Sequence, residues 1–387
     1  MKVAVVGGKL QGIEATYLGK QAGWEVLLID RNSQVPARGI SDCFIKADVV
    51  KDHSLLERIF QDVDFIIPAM EDRDPLTSLE KLATKNGFPL AYDSSSYDVT
   101  SSKKKSEQLF QDLALPLPQA WPGCRFPLIM KPANLSGSQG VRIIKDEDEL
   151  ALSTEARGFD IDNWMLQEYL EGPSYSLEIL AMNGKSITFQ PTLIDVDGHF
   201  DCKRVLAPVN VSETLKDELD ALTRLVASTL GLRGIMDIEV IRHGKELKVL
   251  EIDARLPSQT PTAVLHSTGI NILELWHKTC VNQAVPEDLE IGLEQYVIFE
   301  HIRVTPTFLE ITGEHIMAEA GPLSHQRDFF GADEALTDFV PGASHWVATL
   351  IMKATSAPEA TAKHNRVIGT IQSTFHLPEC IDTFPKW

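Results

Sequence analysis

A chain of 387 residues holds material for two or three domains, and its formal net charge of −19 argues against a nucleic-acid or anionic membrane surface, which needs clustered Lys and Arg. No apolar run reaches the length of a membrane span, and the N-terminus passes from Lys2 straight into a strand and a glycine turn, so a cytoplasmic location is expected. The five cysteines (Cys43, Cys124, Cys202, Cys280, Cys380) are dispersed with no Cys-x-x-Cys pair, which fits inert thiols and offers no zinc site.

Val3 to Val6 reads as a buried strand, Gly7-Gly8-Lys9-Leu10-Gln11-Gly12 as a turn into a helix reaching about Ala22, and Glu25 to Asp30 as a second strand. Asp30 stands where a dinucleotide fold keeps its ribose-binding acid. The fingerprint Gly-x-Gly-x-x-Gly nevertheless fails, because Lys9 occupies the position where backbone must approach a pyrophosphate. A substrate-orienting domain is therefore expected ahead of a nicotinamide dehydrogenase, which stays as a distant alternative. Asp64 to Pro68 predicts a strand, and Glu71 just beyond it is a candidate for a substrate amine or simply a helix-starting acid. A helix over Leu76 to Asn86 and a closing strand over Pro89 to Tyr92 put the first boundary near residue 95.

The next stretch, TSSKKKSEQLFQDLALPLPQ, predicts a helix with a cationic start, stopped by Pro116 and Pro118. Three lysines there oppose the helix dipole and call for an anion or open solvent. Pro127 to Pro132 is a strand carrying Lys131. It enters the small-residue loop Asn134-Leu135-Ser136-Gly137-Ser138-Gln139-Gly140, which can fold over phosphate oxygens or be a plain hairpin tip. Strands are predicted over Val141 to Ile144, Trp164 to Leu170, Ser174 to Met182, Ser186 to Asp195 and Phe200 to Leu206, the last containing Lys203. Ser212 caps a helix whose stripe Leu215, Leu219, Leu222, Val226 and Leu230 is core.

Ile235 to Ile241 and Leu247 to Ile252 then form a hairpin turning at His243-Gly244. Asp237 and Glu239 share one strand face, Glu251 and Asp253 another. A three- or five-residue loop brings the four acids together, whereas a two-residue loop splits them. Together they need a cation, and all-oxygen ligands suit Mg²⁺; apart they are a solvated acidic face. A helix reaches about Cys280, strands follow over Tyr296 to Val304 and Trp346 to Lys353, and a last helix runs from about Pro358 to Phe375. Glu300-His301 reads as strand decoration.

The lysine-bearing helix, the strand-lysine-glycine loop, Gln167-Glu168-Tyr169-Leu170, and the hairpin ending Glu251-Ile252-Asp253-Ala254-Arg255 together resemble the ATP-grasp ligases over roughly residues 95–280. The longer run from Glu251 to Thr262, with Gly7 to Gly12, Glu14 and Ser102 to Phe110, is similar to a branch that joins a D-ornithine-type acid to lysine. The resemblance implies an α/β and α+β chain: a Rossmann-like pre-ATP-grasp domain (1–95), an ATP-grasp domain (96–280, nucleotide lid about 120–170, catalytic hairpin 234–262), and a C-terminal extension (281–387) completing the C-terminal lobe. It implies ATP contacts for Lys103, Lys131, Ser136, Gly137 and Ser138, an adenine hinge at Gln167, Glu168 and Leu170, and Glu178 near the ribose. Glu239, Glu251 and Asp253 are implied Mg²⁺ ligands, for two ions. Arg255, Lys203 and Asp237 are expected in catalysis. Lys9, Leu10, Gln11, Glu71, Asp237, Arg255 and Ser258 are expected on substrate. Two departures are Ser102, where relatives often have Asp, and Ala114, where they often have Gly.

The implied reaction activates the carboxylate of (3R)-3-methyl-D-ornithine as an acyl phosphate and joins it to the ε-amine of L-lysine, forming ADP and phosphate, a step of pyrrolysine biosynthesis. A ligase or carboxylase for another small acid, and a non-catalytic nucleotide-binding module, stay open. Partners are expected to be small-molecule amino acids; whether two chains pair as a homodimer is left open.

Overall fold

The computed structural model describes residues 1–133, 137–154, 160, 163–289 and 292–385. Near-continuous apolar runs make strands buried on both faces, which is what a parallel sheet between helices requires. Such runs form β1 (Lys2–Val6), β2 (Glu25–Asp30), β3 (Cys43–Lys46) and β4 (Phe65–Pro68), ordered β3-β2-β1-β4 and all parallel, with α1 (Leu10–Gln21), α2 (His53–Phe60) and α3 (Arg73–Asn86) packed on them. The strand expected over Pro89 to Tyr92 is a single bridge, Ile66 to Leu90. Pro89 has no N–H to extend the ladder, so the chain makes two bonds with Ile66 and leaves.

Two helices, α4 (Ser94–Thr100) and α5 (Lys103–Asp112), lead to a three-stranded antiparallel sheet. It comprises β5 (Leu128–Pro132), β6 (Arg142–Ile144) and β7 (Trp164–Glu168), with α6 (Glu147–Thr154) between the last two. The third sheet starts with β8 (Ser174–Met182), β9 (Lys185–Thr188), β10 (Thr192–Val196) and β11 (Cys202–Ala207). The helix α7 (Glu213–Leu230), capped by Ser212, precedes the hairpin β12 (Gly234–His243) and β13 (Glu246–Asp253). After α8 (Thr260–Thr268) and α9 (Ile272–Asn282), the C-terminal part adds β14 (Tyr296–Val304), β15 (Phe308–Ile311), α10 (His315–Glu319), β16 (Ser324–Phe329), β17 (Ala332–Thr337), β18 (Trp346–Ala354), α11 (Ala357–Phe375) and β19 (Glu379–Asp382).

The C-terminal strands belong to the same sheet as the hairpin, in the order β13-β12-β8-β10-β11-β14-β18-β17-β16, because β14 pairs with β11. After Arg255 the chain bends at Ser258 and Gln259 and enters α8 at Thr260, with Pro261 in its first turn. Among the described residues no helix is long and apolar enough to cross a membrane.

Candidate active site

The hairpin turns on two residues, Gly244 and Lys245, with His243 paired to Glu246, the loop length expected to separate the acids. A β-bulge corrects this. Val240 pairs with Val249 but Glu239 pairs with Glu251, so Leu250 is the extra residue and the odd positions meet: Glu239 with Glu251, Asp237 with Asp253. The apolar residues show why this register wins. Leu247 and Val249 join Met236, Ile238 and Val240 in the core beneath α7, and beyond the bulge Ile252 continues that face. Keeping all of them buried forces the change of parity at Leu250 and sends the acids to the opposite side.

Crowding sets the acids' chemistry. Burial, then the charge of Glu251, pushes Glu239 up to about 7. Burial pushes Asp253 to about 7 although Arg255 pulls the other way. Asp237 is raised well above the usual carboxylate range by burial and by Asp253 and Glu239, and among the described residues its Oδ1 has no hydrogen-bond partner. Carboxylates held together with an orphaned oxygen are a fit for divalent cations, which take oxygen ligands. Glu239, Glu251 and Asp253 are the residues that would hold them.

Opposite the hairpin, Lys103 donates to Glu251 Oε1 at 2.8 Å. Lys103, Lys131 and Gln167 line a narrow cleft between α5, the three-stranded sheet and β13. Burial lowers the pKa of Lys131 despite the neighbouring Glu251, so its ammonium lacks full compensation and suits an anion. Glu168 accepts from the Gln119 backbone N–H, and Leu170 is buried. Ser136 lies outside the described residues.

Beside the acids opens a cavity of about 1280 Å³. Its walls carry Lys9, Leu10, Gln11 and Glu71 from the parallel-sheet domain, Gly137 and Ser138 from the small-residue loop, and Asp237, Arg255 and Ser258 from the hairpin and its exit. Arg255 bridges Glu71 at 2.9 Å and Asp253 at 2.7 Å, and Gln11 donates to Glu71 at 3.1 Å. Burial works against the Arg255 charge, but Asp253, Glu71 and Asp237 outweigh it and hold the proton more tightly. Among the described residues its Nε has no hydrogen-bond partner.

Two expectations are corrected. Lys203 is the extra residue of a bulge between β10 and β11, and the bulge turns it away from this cavity. It is fully buried, bonding Asp382 at 2.5 Å and the Thr383 carbonyl at 2.6 Å under the Phe384 ring. Glu178, expected near a ribose, is also fully buried, in register beside Asp237, and lines neither cavity. Asp30 accepts from the Gly8 and Asn32 N–H groups, so its carboxylate braces the glycine turn instead of standing free for a ribose. Glu300 and His301 part company as strand neighbours do: Glu300 meets Arg204 and His364, His301 meets Thr349.

Sequence reasoning missed the wall made by Asp201, Gln259, Glu314 and His315. Glu314 precedes α10 and reads locally as an ordinary helix-starting acid, so only the tertiary fold reveals its position.

A family model described as an ATP-grasp domain matches residues 100–259. A 3-methyl-D-ornithine–L-lysine ligase of Methanosarcina mazei is 32% identical over 375 residues, 96% of this chain and 96% of that protein. The protein of that name from Methanosarcina acetivorans is 36% identical over 318 residues, 82% of this chain and 84% of its own length. Among solved structures, a biotin carboxylase–β,γ-ATP complex from Campylobacter jejuni superposes with a TM-score of 0.73 at 15% identity, covering 97% of this chain and 95% of that one. An L-amino acid ligase from Bacillus licheniformis gives 0.67 at 16% identity, covering 95% and 96%. The structures establish the fold, a Rossmann-like domain preceding an ATP-grasp fold; with the sequence relatives, they show that this chain belongs to the ATP-grasp superfamily and, within it, to the family of 3-methyl-D-ornithine–L-lysine ligases.

Proposed function

We propose that this chain is an ATP-dependent carboxylate–amine ligase that activates the carboxylate of 3-methyl-D-ornithine as an acyl phosphate and joins it to the ε-amine of L-lysine, within pyrrolysine biosynthesis. The observation that carries this reading is the bulge-corrected convergence of Asp237, Glu239, Glu251 and Asp253 beside Lys103 and Arg255. The same proposal divides the chain into a substrate domain (1–95), an ATP-grasp domain (96–280) and a C-terminal extension (281–387).

A carboxylate repels an amine and offers only oxide as leaving group; phosphoryl transfer replaces that with phosphate. Lys103 and Lys131 hold the phosphate oxygens of ATP, with Gln167, Glu168 and Leu170 along the adenine. Glu239, Glu251 and Asp253 hold Mg²⁺, two ions in this reading, and the bound metal supplies charge neutralisation between phosphates and carboxylate. Arg255 orients the carboxylate and stabilises the oxyanion when the amine attacks. Asp237, with its unpartnered oxygen and raised pKa, takes the proton the lysine ammonium must shed. Gly137 and Ser138 shield the acyl phosphate from water at the cavity edge.

The test is ADP release with Mg²⁺-ATP and 3-methyl-D-ornithine or D-ornithine, with and without L-lysine, followed by product mass. Release requiring both amino acids, with a product equal to their sum less water, is expected; release driven by bicarbonate without an amine would replace this reading with a carboxylase. Glu251→Ala should lower turnover by at least about 100-fold, since it removes charge stabilisation of the transfer. A non-catalytic nucleotide-binding module would show no turnover to lose.

A further inference from the structure

We infer that Glu314, brought in by the C-terminal part of the chain, is a specificity-determining acceptor for an ammonium group of the carboxylate-bearing substrate. This rests on the ligase reading above.

Glu314 lines the same cavity as Arg255 and Asp237. Its backbone N–H bonds the Cys202 carbonyl at 2.9 Å, which ties the residue to β11. Ser258 Oγ at 2.8 Å and Gln259 Nε2 at 2.6 Å both donate to its Oε2. The carboxylate is thus held at one oxygen, while Oε1 receives no donor among the described residues and is left for a ligand. Gln259 adopts φ +75 and ψ −56, and Thr260 N–H bonds Ser258 O at 2.9 Å across it: a γ-turn of the rare, positive-φ kind. A non-glycine residue held there stores strain, and its side chain is what fixes Glu314.

The neighbouring acids are accounted for differently. Asp197 accepts from four protein groups: the N–H groups of His199, Asp201 and Gly313, and the Thr312 hydroxyl. It is a brace. Asp201 is paired with His315 at 2.6 Å, and it packs so tightly on Gly313 that a Cβ there would lie 2.1 Å from its Oδ2. On this wall Glu314 is the acid without a cationic side chain in hydrogen-bond contact among the described residues. Asp237 lines the same cavity and is over nine-tenths buried, and its Oδ1 has no hydrogen-bond partner among the described residues. A diamino acid whose carboxylate meets Arg255 brings an ammonium group suited to the Glu314 carboxylate, at charge-assisted hydrogen-bond strength.

The experiment uses full-length wild type, Glu314→Gln and Glu314→Asp. It measures steady-state ADP release with D-ornithine, with 5-aminopentanoate (no α-amine) and with D-norvaline (no side-chain amine), each with L-lysine. In Glu314→Gln the KM for D-ornithine should rise roughly 10- to 100-fold, as expected for losing a charged hydrogen bond, with the KM values for ATP and lysine unchanged. Wild type should disfavour the analogue lacking the ammonium that Glu314 holds, and Glu314→Gln should erase that penalty. Glu314→Asp, which keeps the charge, should retain part of it. A structural role alone would not move one analogue's penalty and leave the other's intact. An unchanged D-ornithine KM, equal effects on both analogues, an effect on lysine alone, or a charge-retaining Glu314→Asp as impaired as Glu314→Gln overturns the inference. Wild type that releases no ADP with this pair overturns the ligase reading itself, a distinct result.

Discussion

A lysine in a strand looks the same in sequence whether it faces a nucleotide or an acid elsewhere in the fold. Lys203 shows how the two differ in three dimensions: a one-residue bulge in β11 puts it on the side of Arg204, and both reach Asp382. Its function is to fasten the chain's end, and the two partners of the bond should not be equivalent. Lys203→Met leaves Asp382 paired with Arg204 and partly exposed, so a loss of about 2 kcal/mol is expected. Asp382→Asn leaves a fully buried ammonium without its carboxylate, on the neutral Thr383 carbonyl and the Phe384 ring, and should cost more. Denaturant unfolding of both variants checks the order. The KM for ATP in Lys203→Met should match wild type, and a large rise would return Lys203 to the active site. Asp237 and Arg255, which line the cavity, were singled out in the sequence because a motif of fixed spacing surrounds them. Glu314 was not, since one acid at a helix start carries no pattern.

At the scale of the element, the hairpin's strands were legible from alternation, but its register was not read from loop length. The sign was present: apolar positions 247 and 249 are odd and 252 is even, so a strand keeping one face in the core must gain a residue between them. The register makes the apo hairpin carry mutual repulsion, and this has a measurable sign. In the folded chain Glu239 titrates near 7, above its ordinary value, so the folded state holds this proton more tightly than the unfolded state does. Stability from that source is present at low pH and is lost as pH rises from about 4.5 through about 7. Glu239→Gln, permanently uncharged, should melt like wild type at pH 5 and become the more stable by about 2 kcal/mol at pH 8 without metal. Mg²⁺ should close that gap by stabilising wild type, and ADP release by the variant should fall at least about 100-fold. Thermal melts across pH, with and without Mg²⁺, decide it; a variant less stable than wild type at pH 8 would mean that burial and the neighbouring acids do not raise Glu239.

For the whole molecule, the parallel-sheet domain was legible from its local pattern of strands, glycine turns and helices, and the ATP-grasp fold from the resemblance carried by its ordered motifs. The C-terminal hundred residues gave only β14, β18 and α11 to pattern reading. Their other strands, β15, β16, β17 and β19, are four to six residues long and mix polar with apolar positions, so their pairing partners define them more than their own sequence does. Polar side chains buried at the joints give this assembly its pH response. Tyr17 of α1 bonds His266 of α8 and Glu334 of β17, each at 2.7 Å, tying together the first domain, the hairpin's exit and the C-terminal strands. Burial lowers His266 to about 4 and His301, on β14 opposite Thr349 of β18, to about 3. A histidine held neutral in the folded chain and free to protonate in the unfolded one contributes stability that is complete above about 6.5 and is lost as pH falls toward its folded value. His301 is the cleaner probe, since its one side-chain bond is to the Thr349 hydroxyl. His301→Leu keeps an apolar volume in place and removes the titration. Between pH 7 and pH 4 wild type should lose about 3 kcal/mol more than the variant, whatever offset the substitution brings at neutral pH. Urea unfolding at the two pH values measures the difference, and parallel losses in both proteins would show that His301 is protonated in the folded chain at pH 4.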